Sequence, residues 1–216
     1  MTADLFEDQP PAPGQVHIAP GAVLLRGFAL EMQIELLQAF EAVIAEAPLR
    51  HLVTPGGYTM SVAMTNCGPL GWVSDRRGYR YQATDPVSNK PWPAMPALWR
   101  ELARRAADAA GYAGFEADAC LVNSYAPGAK LSLHQDRDEK DMAAPIVSVS
   151  LGLPASFLFG TDKRADRPQR FRLASGDVVV WGGASRLAYH GIVPLADGEH
   201  PLTGSRRINL TFRKVN

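Results

Sequence analysis

Two segments of the chain carry residues that could together hold a metal ion. LSLHQDRDE (131–139) contains His134 and Asp136 in an H-x-D step, and RLAYHGI (186–192) contains His190. Alternate residues of a strand share a face, so a regular strand through this stretch sets Ser132, His134, Asp136 and Asp138 opposite Leu131 and Leu133. Such polarity opposite two leucines means either a charged surface edge or part of a metal site. H-x-D alone is common by chance. A distant histidine at a strand end, with glycine after it, supplies the missing third ligand. Two imidazoles and a carboxylate on one face of an octahedron hold Fe(II) and leave three adjacent positions for a bidentate cosubstrate and dioxygen. Zinc hydrolases use the same residue types, so the triad by itself leaves the reaction open.

The strand RINLTFR (207–213) bears on that choice. Arg207 and Arg213 are separated by an even number of positions and face the same way. A guanidinium binds a carboxylate through two parallel hydrogen bonds. Two arginines on an inward face are costly unless they meet an anion, and a dicarboxylate keto acid would supply carboxylates to both while its keto group reaches the metal. Asn123 and Tyr125, alternate residues of another strand, could add hydrogen bonds. The plainer alternative is that both arginines are exposed strand charges.

The elements that must position these residues are mostly short strands. After Ala22–Phe28, a helix is expected over Leu30–Ala47 with Ile34, Leu37, Phe40, Val43 and Ile44 on one face, ended by Pro48. A second is expected over Met95–Ala110, with Leu98, Leu102 and Ala106 inward, prolines at its start and Gly111 past its end. From Cys120 onward strands are expected at 120–125, 131–135, 146–153, 156–160, 170–173, 176–183, 187–192 and 207–213, with turn residues between them. That pattern favours an antiparallel barrel or jelly roll with the two helices outside: mainly β, α+β in class. Between the helices, TPGGYTMSVAMTNCGPLGW (54–72) is glycine-rich with alternating methionines, and reads as a strand pair on a flexible connection carrying Tyr58, Met60, Met64, Trp72, Tyr79 and Tyr81. Aromatics on such a flap can stack on flat ligands, although ordinary hairpin packing explains any one of them. Residues 1–14 are proline-rich and expected to be poorly ordered, and 15–216 reads as one domain.

Composition narrows the classes. The chain has 216 residues, 46% hydrophobic and 20% charged, with 22 basic and 22 acidic residues. A neutral protein cannot coat nucleic acid through bulk charge, so any such binding uses a local patch. Lys163–Arg172 and Arg76–Arg80 are the two candidates, each also readable as a solvated loop. No long apolar run spans a membrane and the N-terminus lacks a secretory pattern. Cys67 and Cys120 suit free thiols in a reducing compartment, so a cytoplasmic protein is expected, and nothing demands a dimer, so a monomer is expected.

NSYAPGAKLSLHQD (123–136), SLGLP (150–154), GDVVVWGG (176–183), YHGI (189–192) and RINLTFR (207–213), together with VTPGGYTMSVAMTNCG (53–68), resemble the AlkB family of iron- and 2-oxoglutarate-dependent dioxygenases from about Gly21 to Arg213. The resemblance implies a double-stranded β-helix (jelly roll, cupin-like) with an N-terminal nucleotide-recognition lid at about 50–92. It implies oxidative demethylation of bases such as 1-methyladenine and 3-methylcytosine in single- or double-stranded DNA, and in RNA, using Fe(II), 2-oxoglutarate and O2. By position, His134, Asp136 and His190 would hold Fe(II). Arg207 would pair with the distal carboxylate of 2-oxoglutarate and Arg213 with the carboxylate at the metal, with Asn123, Tyr125 and Asn209 assisting. Trp72 would stack on the extruded base with the His134 ring on its other face, and Asp138 would accept from the exocyclic amine. Met64 belongs to the same substrate set, with Tyr79 and Thr54–Tyr58 touching the backbone and Arg164 near the pocket. Two departures bear on substrate range: Ala188 stands where a larger side chain is expected, and the 161–170 loop differs. Without the resemblance, an oxygenase acting on a protein or small molecule and a non-catalytic barrel module remain the competing classes.

Overall fold

The computed structural model describes residues 14–216. The expectation for 1–14 therefore lies outside the described residues, except for Gly14, which opens the first strand. The strands are β1 (Gly14–Ala19), β2 (Ala22–Arg26), β3 (Arg50–Val53), β4 (Thr59–Cys67), β5 (Gly71–Asp75), β6 (Gly78–Gln82), β7 (Ala119–Tyr125), β8 (Leu131–His134), β9 (Ile146–Gly152), β10 (Ala155–Phe159), β11 (Gln169–Leu173), β12 (Val178–Trp181), β13 (His190–Ile192) and β14 (Arg207–Arg213). The helices are α1 (Gln33–Glu46), entered through a short 3-10 turn, and α2 (Ala97–Ala109).

Eight strands form one sheet in the order β1-β2-β12-β9-β14-β7-β4-β3, four form a second as β11-β10-β13-β8, and β5-β6 is a separate hairpin. Every listed neighbour pair is antiparallel, as an all-β jelly roll requires. The period of two then divides each central strand between two environments. On β14, Ile208, Leu210 and Phe212 join the core that also holds Leu36 and Phe40 of α1 and Trp99 and Leu102 of α2. On β9, Val147, Val149 and Leu151 do the same. The alternate residues (Ser148, Arg207, Asn209, Thr211 and Arg213) instead line a cavity of about 700 Å³ shared with residues of the smaller sheet.

The helix at 30–47 is shorter than expected and its inward face differs. The buried stripe is Leu36, Phe40 and Val43, while Ile34 is 55% exposed. At 3.6 residues per turn, Ile34 lies on the far side of the helix from Leu36. In α2, Trp99, Ala103 and Ala107 add to the expected Leu102 and Ala106, and Leu98 packs only partly against the core. The strand expected at 187–192 shrinks to three residues, because a 3-10 turn at Gly183–Ser185 carries the chain round to His190. The glycine-rich segment does not form one flap. β3 and β4 extend the large sheet through β7, and only β5-β6 stands apart. Among the described residues, no helix is long and apolar enough to cross a membrane.

Candidate active site

Strands β8 and β13 bring the two histidines together. His190 pairs directly with His134, and a register shift follows before Ile192 meets Leu131. Their ring centroids are 4.4 Å apart. Gly191 sits in the shifted step, where an added Cβ would lie 2.6 Å from the Leu131 carbonyl oxygen. Only glycine allows these strands to approach so closely, which accounts for the glycine after His190.

β8 stops at His134, so strand alternation does not place Asp136 and Asp138. Arginines hold the chain beyond it. Arg186 donates from Nη1 to the Asp136 carbonyl at 2.7 Å, and Arg213 donates from Nη2 and Nε to Asp136 Oδ2 at 2.8 and 3.1 Å. One ligand atom each from His134, Asp136 and His190 then falls within 4.8 Å of the other two. His134 Nε2 is 3.6 Å from Asp136 Oδ1, and His190 Nε2 is 3.9 Å from Oδ2.

The ring orientations suit metal ligation. His134 Nδ1 lies 2.9 Å from the Ser132 carbonyl oxygen and His190 Nδ1 lies 3.0 Å from that of Ala188. A carbonyl only accepts, so both Nδ1 atoms carry the proton and both Nε2 lone pairs are left for a cation. Burial, reinforced by His134, lowers the pKa of His190 to about 4 despite the nearby Asp136, so its imidazole is neutral. Burial opposes ionisation of Asp136, yet Arg213 and the two histidines override it and hold the carboxyl below the usual range.

Arg207 supplies a test of whether an anion fits beside the triad. It is 2% exposed, its Nη2 donates to Ser150 Oγ at 3.0 Å, and its Nε and Nη1 have no hydrogen-bond partner. Its guanidinium carbon lies 4.8 Å from the ring centroid of Tyr125, its cross-strand neighbour. Buried donors without partners are uncommon and expensive, and a carboxylate satisfies both here. Arg213 differs from expectation. Its guanidinium already meets Asp136 and, at 3.3 Å, Glu139 Oε1. Asn123 Nδ2 donates to Asn209 Oδ1 at 3.2 Å, leaving Asn123 Oδ1 unpartnered, and Asn209 is anchored to Ser148 and Val149 of β9.

The remaining expected residues sit around the cavity mouth. Trp72 of β5 donates its indole N–H to Asp138 Oδ2 at 2.8 Å and stacks on Tyr79, centroids 5.4 Å apart. Arg164 donates to the Leu133 carbonyl and lies over the Tyr189 ring at 5.6 Å. Thr54 accepts the Tyr58 amide in a tight turn that leaves Tyr58 78% exposed. Met64 is buried in β4 and lines the cavity from within, not from a flap. Of the two basic segments, Lys163–Arg172 is largely exposed, whereas Arg77 and Arg80 of the other both pair with Asp75. Ala188 is buried, with its carbonyl on His190.

Sequence reasoning missed Tyr81, Glu139, Ser150 and Arg186. Glu139 is 6% exposed and accepts from Arg186 Nη2 at 3.0 Å and from the Tyr81 hydroxyl at 2.5 Å. Burial above all drives the Tyr81 phenol well above its ordinary pKa, so it donates here. Ser148 and Ser150 carried a readable signal, being alternate polar residues in the otherwise apolar IVSVSLG. Glu139 and Arg186 carried none, because neither lies on a strand.

The sequence matches the 2OG-Fe(II) oxygenase superfamily over residues 21–213. It is 61% identical over 212 residues to the alpha-ketoglutarate-dependent dioxygenase AlkB of Salmonella typhimurium, covering 98% of this chain and 97% of that one. It is 31% identical over 159 residues to the tRNA demethylase abh1 of Schizosaccharomyces pombe, covering 68% of this chain and 53% of that one. The solved structure of OsALKBH1 superposes with a TM-score of 0.82 at 30% identity, covering 93% of this chain and all of that one. With the triad, the buried unpartnered arginine and the two-sheet barrel all in place, the chain belongs to the 2OG-Fe(II) oxygenase superfamily.

Proposed function

We propose that the protein is an Fe(II)- and 2-oxoglutarate-dependent dioxygenase that demethylates N-alkylated bases, 1-methyladenine and 3-methylcytosine, in DNA and also in RNA. The observation that carries this reading is one cavity holding three features: the converged triad, a buried arginine lacking an anion, and an aromatic hairpin whose tryptophan meets a carboxylate at the mouth. The similarity to the AlkB dioxygenase supports the cosubstrate, and the similarity to a tRNA demethylase supports nucleic acid as substrate.

His134, Asp136 and His190 hold the metal. Arg207 takes the distal carboxylate of 2-oxoglutarate, helped by Tyr125, while Asn123 and Asn209 line the cosubstrate's bed. Arg213 orients Asp136 and places positive charge beside the carboxylate at the metal. When bound, Fe(II) and 2-oxoglutarate with O2 supply the oxidant that hydroxylates the N-methyl carbon, giving succinate, CO2 and, on collapse of the hydroxymethyl base, formaldehyde. The protein contributes positioning and exclusion of water.

A methyl group on the pairing edge is out of reach inside a duplex, so the base leaves the stack, at reduced cost because the lesion already blocks pairing. Trp72 stacks on it, Met64 bounds its slot, and Asp138 accepts from its exocyclic amine and favours the cationic lesion. Tyr79, Thr54, Tyr58 and Arg164 meet the backbone, which positions the strand while the pocket reads the base. We read 15–216 as one catalytic domain with a lid at about 50–92, and the protein as a cytoplasmic monomer. Two buried free thiols suit that reducing compartment.

Succinate release from the Fe(II)-loaded protein tests the substrate class. Methylated single-stranded DNA should stimulate it over unmodified DNA. Stimulation by a peptide or a small metabolite alone would place the protein in a different branch of the superfamily.

A further inference from the structure

The hairpin that carries Trp72 is fastened to the segment that carries Asp136. Trp72 and Tyr81 are directly opposed on β5 and β6, so both project from one face of the hairpin. That face meets two consecutive carboxylates just past the metal-binding histidine. Trp72 donates to Asp138 and Tyr81 donates to Glu139. Asp138 is exposed, whereas Glu139 is buried and fully engaged. Its Oε1 also faces Arg213 Nε and its Oε2 accepts from Arg186 Nη2. The same two arginines hold Asp136, one by its side chain and one by its carbonyl. Asp136, Glu139, Arg186 and Arg213 are all at most 8% exposed. Two negative and two positive charges balance there, so none can leave without stranding another.

We propose that Tyr81 and Glu139 are positioning residues that set the height of the aromatic hairpin over the metal site, so that a base stacked on Trp72 presents its alkyl group to the metal. This rests on the base-demethylation reading for what is stacked, but not for the fastening itself. The hairpin makes its own two-stranded sheet, so side-chain donors must fix its attitude. Trp72–Asp138 is a poor fastener, because Asp138 is exposed and is also the group offered to the base. Tyr81–Glu139 touches no substrate and ends on the carboxylate that Arg213 shares with Asp136. Glu139 thus serves the hairpin and the metal ligand through one side chain.

Tyr81→Phe keeps the ring and removes the hydroxyl. Loss of one hydrogen bond to a charged group predicts about a tenfold rise in KM for a methylated oligonucleotide, with kcat at saturation falling less than about threefold. Affinity for 2-oxoglutarate should be unchanged, because Arg207 is untouched. Amide hydrogen exchange should quicken across 71–82 and not in β7, β9 or β14. Glu139→Gln should weaken oligonucleotide and metal binding together, and adding Tyr81→Phe to it should raise KM little further. A Tyr81→Phe protein whose KM and hairpin exchange match the parent overturns the proposal, as does one that loses kcat with KM unchanged. If Glu139→Gln fails to fold, Tyr81→Phe alone decides. If the parent does not discriminate methylated from unmodified oligonucleotide, the substrate reading fails, and the exchange measurement still decides whether Tyr81 fastens the hairpin.

Discussion

Replacing Arg207 by methionine should separate binding from stability. Arg207 is 2% exposed, with one hydrogen bond to Ser150 and two donors, Nε and Nη1, unpartnered. A carboxylate docked on those donors gains two charge-assisted hydrogen bonds, each contributing about 1.5–3 kcal/mol. Their loss predicts a fall in 2-oxoglutarate affinity of about 3–5 kcal/mol, roughly a hundredfold to several thousandfold. The effect on the ligand-free fold runs the other way. Methionine has similar reach and no polar atoms, and replacing buried charges by well-packed apolar groups is often neutral or stabilising by about 1–4 kcal/mol. The only protein bond lost is the one to Ser150. The expected pair of results is a sharply raised KM for 2-oxoglutarate in succinate release and a melting temperature, measured without cosubstrate, no lower than the parent's. A variant that binds 2-oxoglutarate within about threefold of the parent would refute the assignment. A large drop in melting temperature would refute the claim that this arginine awaits an anion.

Three further outcomes are expected. Asp138→Ala should slow turnover of 1-methyladenine and 3-methylcytosine by about tenfold or more, through loss of a hydrogen bond to a charged group, while metal affinity by titration stays near the parent's. Loss of metal with base affinity intact would reverse its assigned role. Trp72→Ala should weaken binding of a methylated oligonucleotide by about 1–3 kcal/mol, measured by anisotropy without O2, as expected for removal of one base-stacking ring. Burial would raise the Asp85 carboxyl, but its hydrogen bonds from Arg50, Val87 and Ser88 prevail and its pKa falls to about 2. A folded value below the unfolded one contributes stability above the unfolded pKa of about 4, lost as pH falls from there towards about 2. Urea unfolding should find Asp85→Asn less stable by at most about 2 kcal/mol at pH ~7, with the gap shrinking at pH ~3. A gap that widens in acid would contradict the pairing.

The legible parts of the chain were those where a local pattern reports a global position. Strand alternation in RINLTFR placed Arg207, Asn209 and Arg213 on the cavity side, and the structure keeps them there because the other face of β14 is committed to the helices. His190 could be picked out because glycine follows it, and the close β8–β13 approach explains that glycine. The same alternation failed past His134. The chain leaves the strand, and Asp136 is held by Arg186 and Arg213, which lie far away in sequence. The face of α1 was misjudged because Ile34 is apolar yet sits outside the buried stripe of Leu36, Phe40 and Val43. Met64 was expected near an exposed flap but is buried, because β4 pairs with β7 in the large sheet. Glu139 gave no warning. A glutamate in a charged loop looks solvated until its two arginines are known.

The most direct measurement is the mass of an oligonucleotide. Single-stranded DNA carrying one 1-methyladenine or 3-methylcytosine is incubated with the protein, Fe(II), 2-oxoglutarate, ascorbate and air, then analysed by mass spectrometry with formaldehyde measured in parallel. The expected result is restoration of the unmodified mass with matching formaldehyde, dependent on both Fe(II) and 2-oxoglutarate and lost in Asp136→Ala. An oligonucleotide that keeps its methyl group while the protein binds metal and cosubstrate would contradict base demethylation as its function.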